Sequence, residues 1–181
     1  MRAARWFTLM LVVGFAHVAG AQSLCPWLNQ ATASGALGED VTMHVTILPQ
    51  SLHAARSPQA LYPGSDPRPN GMCEFSTKDQ RSTLRITVTA MTNPKKEYAA
   101  AIRSSCLGTA HPLTGVGNQA IACSSSNNGA SEDRVVSYVR NRLMLLRWNR
   151  PSVAAIHWQG SDVTSDAVVQ AIAEQIAGSM Y

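Results

Sequence analysis

The sequence predicts an α+β domain, mainly antiparallel sheet with helices packed on it, and three observations carry that expectation. Residues 134–149 read as a β-hairpin with apolar side chains on both faces. Val135, Val139, Leu143 and Leu145 are assigned to one side, and Val136, Tyr138, Met144, Leu146 and Trp148 to the other. A strand pair of that kind has to be covered twice, so it belongs near the middle of a sheet. Residues 41–48 and 84–91 instead alternate apolar and polar, the pattern of strands with one buried face. The stretch from Pro94 to its stop at Gly108, with Cys106 in the last turn, and residues 162–180 repeat apolar residues at helical spacing behind recognisable starts.

In chain order, Pro26 suits the first position of a short helix that Gly35 or Gly38 ends. The strand over 41–48 directs Val41, Met43, Val45 and Ile47 inward and Thr42, His44 and Thr46 outward. Residues 49–72 then carry Pro49, Pro58, Pro63, Pro67 and Pro69 with Gly64 and Gly71, which forbids a continuous element through most of the stretch. A long connection of this kind, with room for one helical turn near 51–55, is functional or disordered.

Cys73 to Thr77 resumes as a strand, 78–82 turns, and Leu84, Ile86 and Val88 face inward on the next one. Asn93-Pro94 marks a helix start, with Tyr98, Ala101 and Ile102 as its buried stripe and Gly108 as its stop. Residues 111–118 read as a loop, 119–124 as a short strand, 124–131 as a polar loop and 154–158 as an edge strand. Val169, Ile172 and Ile176 form the apolar face of the last helix. The order suggests two αβββ-like halves plus a C-terminal helix, although their residues do not align into a repeat.

Residues 1–21 have the form of a secretory signal peptide: Arg2 and Arg5, an apolar run from Trp6, then Ala19-Gly20-Ala21. The run is shorter than the roughly 20 apolar residues of a spanning helix, so no transmembrane segment is expected after cleavage. Lipidation at Cys25 is disfavoured by Leu24 before it and by the odd thiol it would leave. The remaining chain, 22–181, is expected to be a single exported domain, periplasmic or secreted. Without Arg2 and Arg5 it has 13 basic against 11 acidic residues, a net charge of +2. That balance gives no polybasic footprint for nucleic acid or lipid.

Cys25, Cys73, Cys106 and Cys123 all lie in the exported part. An even count in an oxidising compartment argues for two disulfides, and four cysteines allow three pairings. Cys25 with Cys73 and Cys106 with Cys123 is favoured, because it staples each half separately. No Cys or His pair has the close spacing of a metal site, and no cofactor is expected.

Cys25-Pro26-Trp27-Leu28-Asn29-Gln30-Ala31, followed by Ala36-Leu37-Gly38 and Val41, resembles the Cys-x-x-Leu-Thr-x-Ala … Ala-Leu-Gly opening of small bacterial exported proteins and lipoproteins of unknown function. Cys73-Glu74-Phe75, the strand at 84–88 and Leu113-Thr114-Gly115-Val116-Gly117-Asn118-Gln119-Ala120 are similar to later landmarks of that group. The resemblance implies an exported α+β domain with the first two cysteines bonded, and brings no activity or site residue with it. Trp27, Asn29 and the second cysteine pair depart from the pattern.

Gly115-Val116-Gly117-Asn118-Gln119-Ala120 formally matches a dinucleotide fingerprint, but that chemistry needs a strand before it and a helix after it. Here a helix precedes and a strand follows, so a tight turn is the reading. No Gly-x-Ser-x-Gly elbow exists, and His44, His53, His111 and His157 are scattered. A non-catalytic binding or interaction module is therefore expected, for a small molecule or an envelope protein; a small secreted hydrolase is the alternative. Two surfaces are candidates. One is the polar strand face of Thr42, His44, Thr46, Arg85, Thr87 and Thr89 beside the 49–72 loop. The other gathers Tyr138, Trp148 and Trp158 with Arg140 and Arg147, residue types that dominate recognition hot spots. His44, Arg85, Tyr138, Arg147 and Trp148 are the individual binding candidates, weighed against a solvated sheet face and ordinary core aromatics.

Overall fold

A computed structural model describes residues 24–48, 70–152, 156–158 and 160–181. Seven strands form one wholly antiparallel sheet in the order β1-β2-β3-β7-β6-β5-β4. They are β1 Val41–Leu48, β2 Asn70–Thr77, β3 Thr83–Ala90, β4 Thr109–Leu113, β5 Gln119–Asn127, β6 Ala130–Val139 and β7 Arg142–Pro151. Three helices, α1 Gln30–Leu37, α2 Pro94–Ser105 and α3 Ser165–Ser179, complete the α+β arrangement. Each meander is built from neighbours in sequence, and the two are joined where β3 pairs β7. The hairpin β6–β7 is thus central, as its two apolar faces require.

One face of the sheet carries the main core. Phe75, Leu84, Ile86, Met144, Leu146 and Trp148 are buried there against Val169, Ile172 and Ile176 of α3 and Ala33 and Ala36 of α1. On the other face α2 packs on β6 and β7, laying Tyr98 and Ala101 over Val136, Tyr138, Leu143 and Leu145. The ring centroids of Tyr98 and Tyr138 are 5.1 Å apart, and burial pushes the Tyr98 hydroxyl above the ordinary tyrosine pKa.

This register corrects the expected faces of the hairpin. Val139 pairs with Arg142 across a two-residue turn, so odd positions of β6 share a face with even positions of β7. Val135 therefore sits beside Leu146, and Tyr138 lies on the opposite side of the sheet from Trp148. Arg140 holds a positive φ of 56° in that turn, and its guanidinium stacks 5.6 Å from the Tyr181 ring.

Other boundaries shift for local reasons. α1 begins at Gln30 rather than Pro26, because Asn29 is the cap: its Oδ1 accepts from Thr32 N at 2.8 Å. Trp27 and Leu28 go into the core instead of onto the helix. β2 begins at Asn70, so the end of the expected loop is strand, while 49–69 lie outside the described residues. β4 occupies part of the expected 111–118 loop; Pro112 is tolerated because β4 is an edge strand. The expected 124–131 loop is a turn at Asn128-Gly129, with φ of 50° and 79°, between strands that extend to Asn127 and from Ala130. His157–Trp158 pairs with Ser161–Asp162 as a separate ribbon, not as an edge strand of the main sheet.

Both cysteine pairs are bonded as favoured. Cys25–Cys73 (Cα–Cα 5.8 Å) ties the segment before α1 to β2, and Cys106–Cys123 (5.4 Å) ties the end of α2 to β5. The Gly115-Val116-Gly117 stretch is a turn, as expected, and it packs on β6. Val116 is buried, its carbonyl accepts from Ser137 Oγ, and a Cβ on Gly117 would stand 2.5 Å from the Tyr138 carbonyl oxygen. Among the described residues no helix is long and apolar enough to cross a membrane.

An arginine cleft on the outer sheet face

Because α2 packs on β6 and β7, the outer surface of the sheet has a step where the helix ends. α2 starts firmly: Asn93 caps it, and Glu97 Oε1 accepts from the Thr92 and Asn93 backbone N–H groups, which holds that carboxyl below its ordinary pKa. It finishes at Ser105, beside the Cys106–Cys123 bridge. Arg134 Nη1 donates to the Ser105 carbonyl at 2.5 Å, placing a cation on the negative end of the helix.

Two cross-strand rows run from this step across the open sheet. Strand pairing aligns Glu74, Arg85, Arg147 and Arg134 on β2, β3, β7 and β6, and the next row holds Met72, Thr87, Leu145 and Val136. All of them but Glu74 line an open cleft of about 180 Å³, which Ser105 also lines. The first row is charged and the second mostly apolar.

The charges in the first row are cross-linked. Glu132 takes Arg147 Nε at 2.8 Å and also meets Arg134 Nη2. Glu74 accepts from Arg85 Nε at 2.6 Å and meets Nη2 of the same guanidinium. Arg85 and Arg147 face each other directly in register, with side chains 44% and 43% exposed. Like charges opposite one another oppose strand pairing, and the flanking glutamates offset that here. Arg134 is more enclosed, and its Nε is buried with no hydrogen-bond partner among the described residues.

The candidates named from sequence are thereby divided. Arg85 and Arg147 are brought together in the cleft, and His44 continues their row at the sheet edge, paired with Glu74. Among the described residues, the His44 ring meets Thr46 Oγ1, at 3.5 Å. Tyr138 is on the same face, but under α2. Trp148 belongs to the core on the opposite face, where Arg150 stacks 5.3 Å from its ring and pairs with buried Asp133 at 3.2 Å. Trp158 is half-buried against the main core, and Arg140 is in its turn. An aromatic and basic site made of these residues together is therefore not formed.

Glu74, Glu132, Arg134 and Ser105 were not singled out from sequence. Their signal was the alternation of polar residues along β2 and β6, which becomes a site only once the strand order is known. Among the described residues, no group of His, Cys, Asp and Glu could hold a metal ion. The chain matches no protein-family model and no curated protein.

Proposed function

We propose that the protein is an exported, non-catalytic binding module of the bacterial cell envelope, and that the cleft beside the end of α2 is its binding site. The observation that carries this reading is the convergence of Arg85, Arg134 and Arg147 on one hollow, two of them directly opposed and with guanidinium donors that have no acceptor among the described residues. A signal-peptide-like start and two disulfides support export. The hydrolase alternative gains no such observation. Among the described residues, no acid or nucleophile meets the His44 ring beyond a long contact with Thr46, and the four cysteines are paired.

Arginine-specific labelling tests the assignment. The protein isolated from its oxidising compartment is treated with phenylglyoxal, beside the same protein unfolded and refolded with its disulfides intact. Arg85 and Arg147 should be protected in the first sample and modified in the second, while exposed Arg81 reacts equally in both. Equal modification of all three arginines in both samples would remove the support for a ligand-carrying cleft.

A further inference from the structure

The cleft has a definite electrostatic balance. Three guanidinium groups, Arg85, Arg134 and Arg147, face two carboxylates, Glu74 and Glu132, leaving a surplus of one positive charge. Arg134 is already committed to Glu132 and the Ser105 carbonyl, and Arg85 spends Nε and Nη2 on Glu74. Arg147 binds Glu132 through Nε, so its two Nη groups have no acceptor among the described residues, and neither does Nη1 of Arg85. Those free donors belong to the two arginines that oppose each other in register. The donors of each guanidinium are coplanar and match the two oxygens of a carboxylate.

The next row supplies the rest of the selectivity. Leu145, Val136 and Met72, with the hydroxyl residue Thr87 among them, line the cleft next to the charged row. An ion surrounded by polar oxygens on every side would lose hydration against those side chains without replacement. The volume of about 180 Å³ exceeds what a small inorganic anion fills, and cavities on the order of 150 Å³ accept a benzene-sized body.

We propose that the ligand is a monocarboxylate with a compact apolar body, its carboxylate held between Arg85 and Arg147 and its body laid on Leu145, Val136 and Met72. This rests on the cleft being a binding site, as argued above. A free branched or aromatic acid and the C-terminal residue of a peptide present the same chemistry.

The test is amide NMR of the oxidised protein titrated with isovalerate, N-acetyl-leucine and Ala-Ala-Leu, each paired with its carboxamide, and with inorganic phosphate. Saturable shifts at Thr87, Leu145 and Arg147 are expected with the acids, and binding at least tenfold weaker with the amides. Arg147→Gln and, independently, Arg85→Gln should each weaken the acids about tenfold or more, the loss of one charge-assisted pair, whereas Arg81→Gln leaves them unchanged. The same spectra report whether each variant is folded. Tighter binding of Ala-Ala-Leu than of N-acetyl-leucine assigns the peptide source, and equal binding assigns the free acid. Amides that bind as well as acids, or phosphate binding alone, would overturn the carboxylate while leaving the cleft as a binding site. Absence of shifts in the cleft with every probe would overturn both.

Discussion

Replacing Cys25 and Cys73 together by alanine should lower the stability of the protein by about 4 kcal/mol, the loop-closure entropy expected for a bridge spanning 48 residues. The loss is large against a typical domain total of about 5–15 kcal/mol. The same relation gives about 3 kcal/mol for Cys106–Cys123, which spans 17 residues. Alanine is the right replacement because Cys73 is fully buried and Cys25 nearly so, and a serine hydroxyl there would add a desolvation cost. Denaturant titration of the two double variants under non-reducing conditions checks the order. A larger loss from the 106–123 pair would show that α2 and β5, rather than the segment before α1, carry the constraint that matters most for folding.

Two neighbours on β7 should behave in opposite ways. Trp148→Ala removes a side chain 2% exposed at the centre of the main core, and should cost about 3–5 kcal/mol. Arg147→Ala removes a half-exposed partner of Glu132 on the other face, and should stay within about 1 kcal/mol of the parent. Denaturation midpoints at unchanged slope measure both. Similar losses at the two positions would contradict the placement of Trp148 in the main core and of Arg147 on the open face, and a larger loss at Arg147 would mean that the strand is turned over.

That register also marks how far the sequence can be read. The strands at 41–48 and 84–90 were legible because each buries one face and alternates cleanly, and the last helix because its apolar stripe is continuous. The start of α2 was legible from Asn93-Pro94, although Glu97 shares in capping it. A hairpin apolar on both faces gives no such guidance. Alternation cannot tell its sides apart, and only the two-residue turn after Val139 fixes which residues of β6 and β7 belong together. Asn128-Gly129 was a strong hairpin signal lost within a run of polar residues, and β4 was hidden by a proline that only an edge strand accepts.

The site was half legible for a related reason. Arg85 and His44 stand on strands whose polar face is plain in the sequence, and Arg147 lies in the hairpin already identified as central. What joins Arg85 to Arg147 is the pairing of β3 with β7, a contact between residues 62 apart in the chain that no local pattern announces. Arg134 and Glu132 enter by the same route, through β6. Tyr138 and Trp148 pack as core aromatics, but alternation alone assigns them to one side of the hairpin, whereas the two-residue turn sends them to opposite faces.

If an oxidised, exported domain carries a ligand in the cleft, native mass spectrometry of the protein isolated from an oxidising compartment shows it most directly. After denaturation without reductant, the mass should equal residues 22–181 less four hydrogens, one pair for each disulfide. The native spectrum should show additional mass that denaturation removes and that Arg85→Gln/Arg147→Gln abolishes. Identical native and denatured masses, an adduct that survives the double variant, free thiols, or a lipid on Cys25 would each contradict the account.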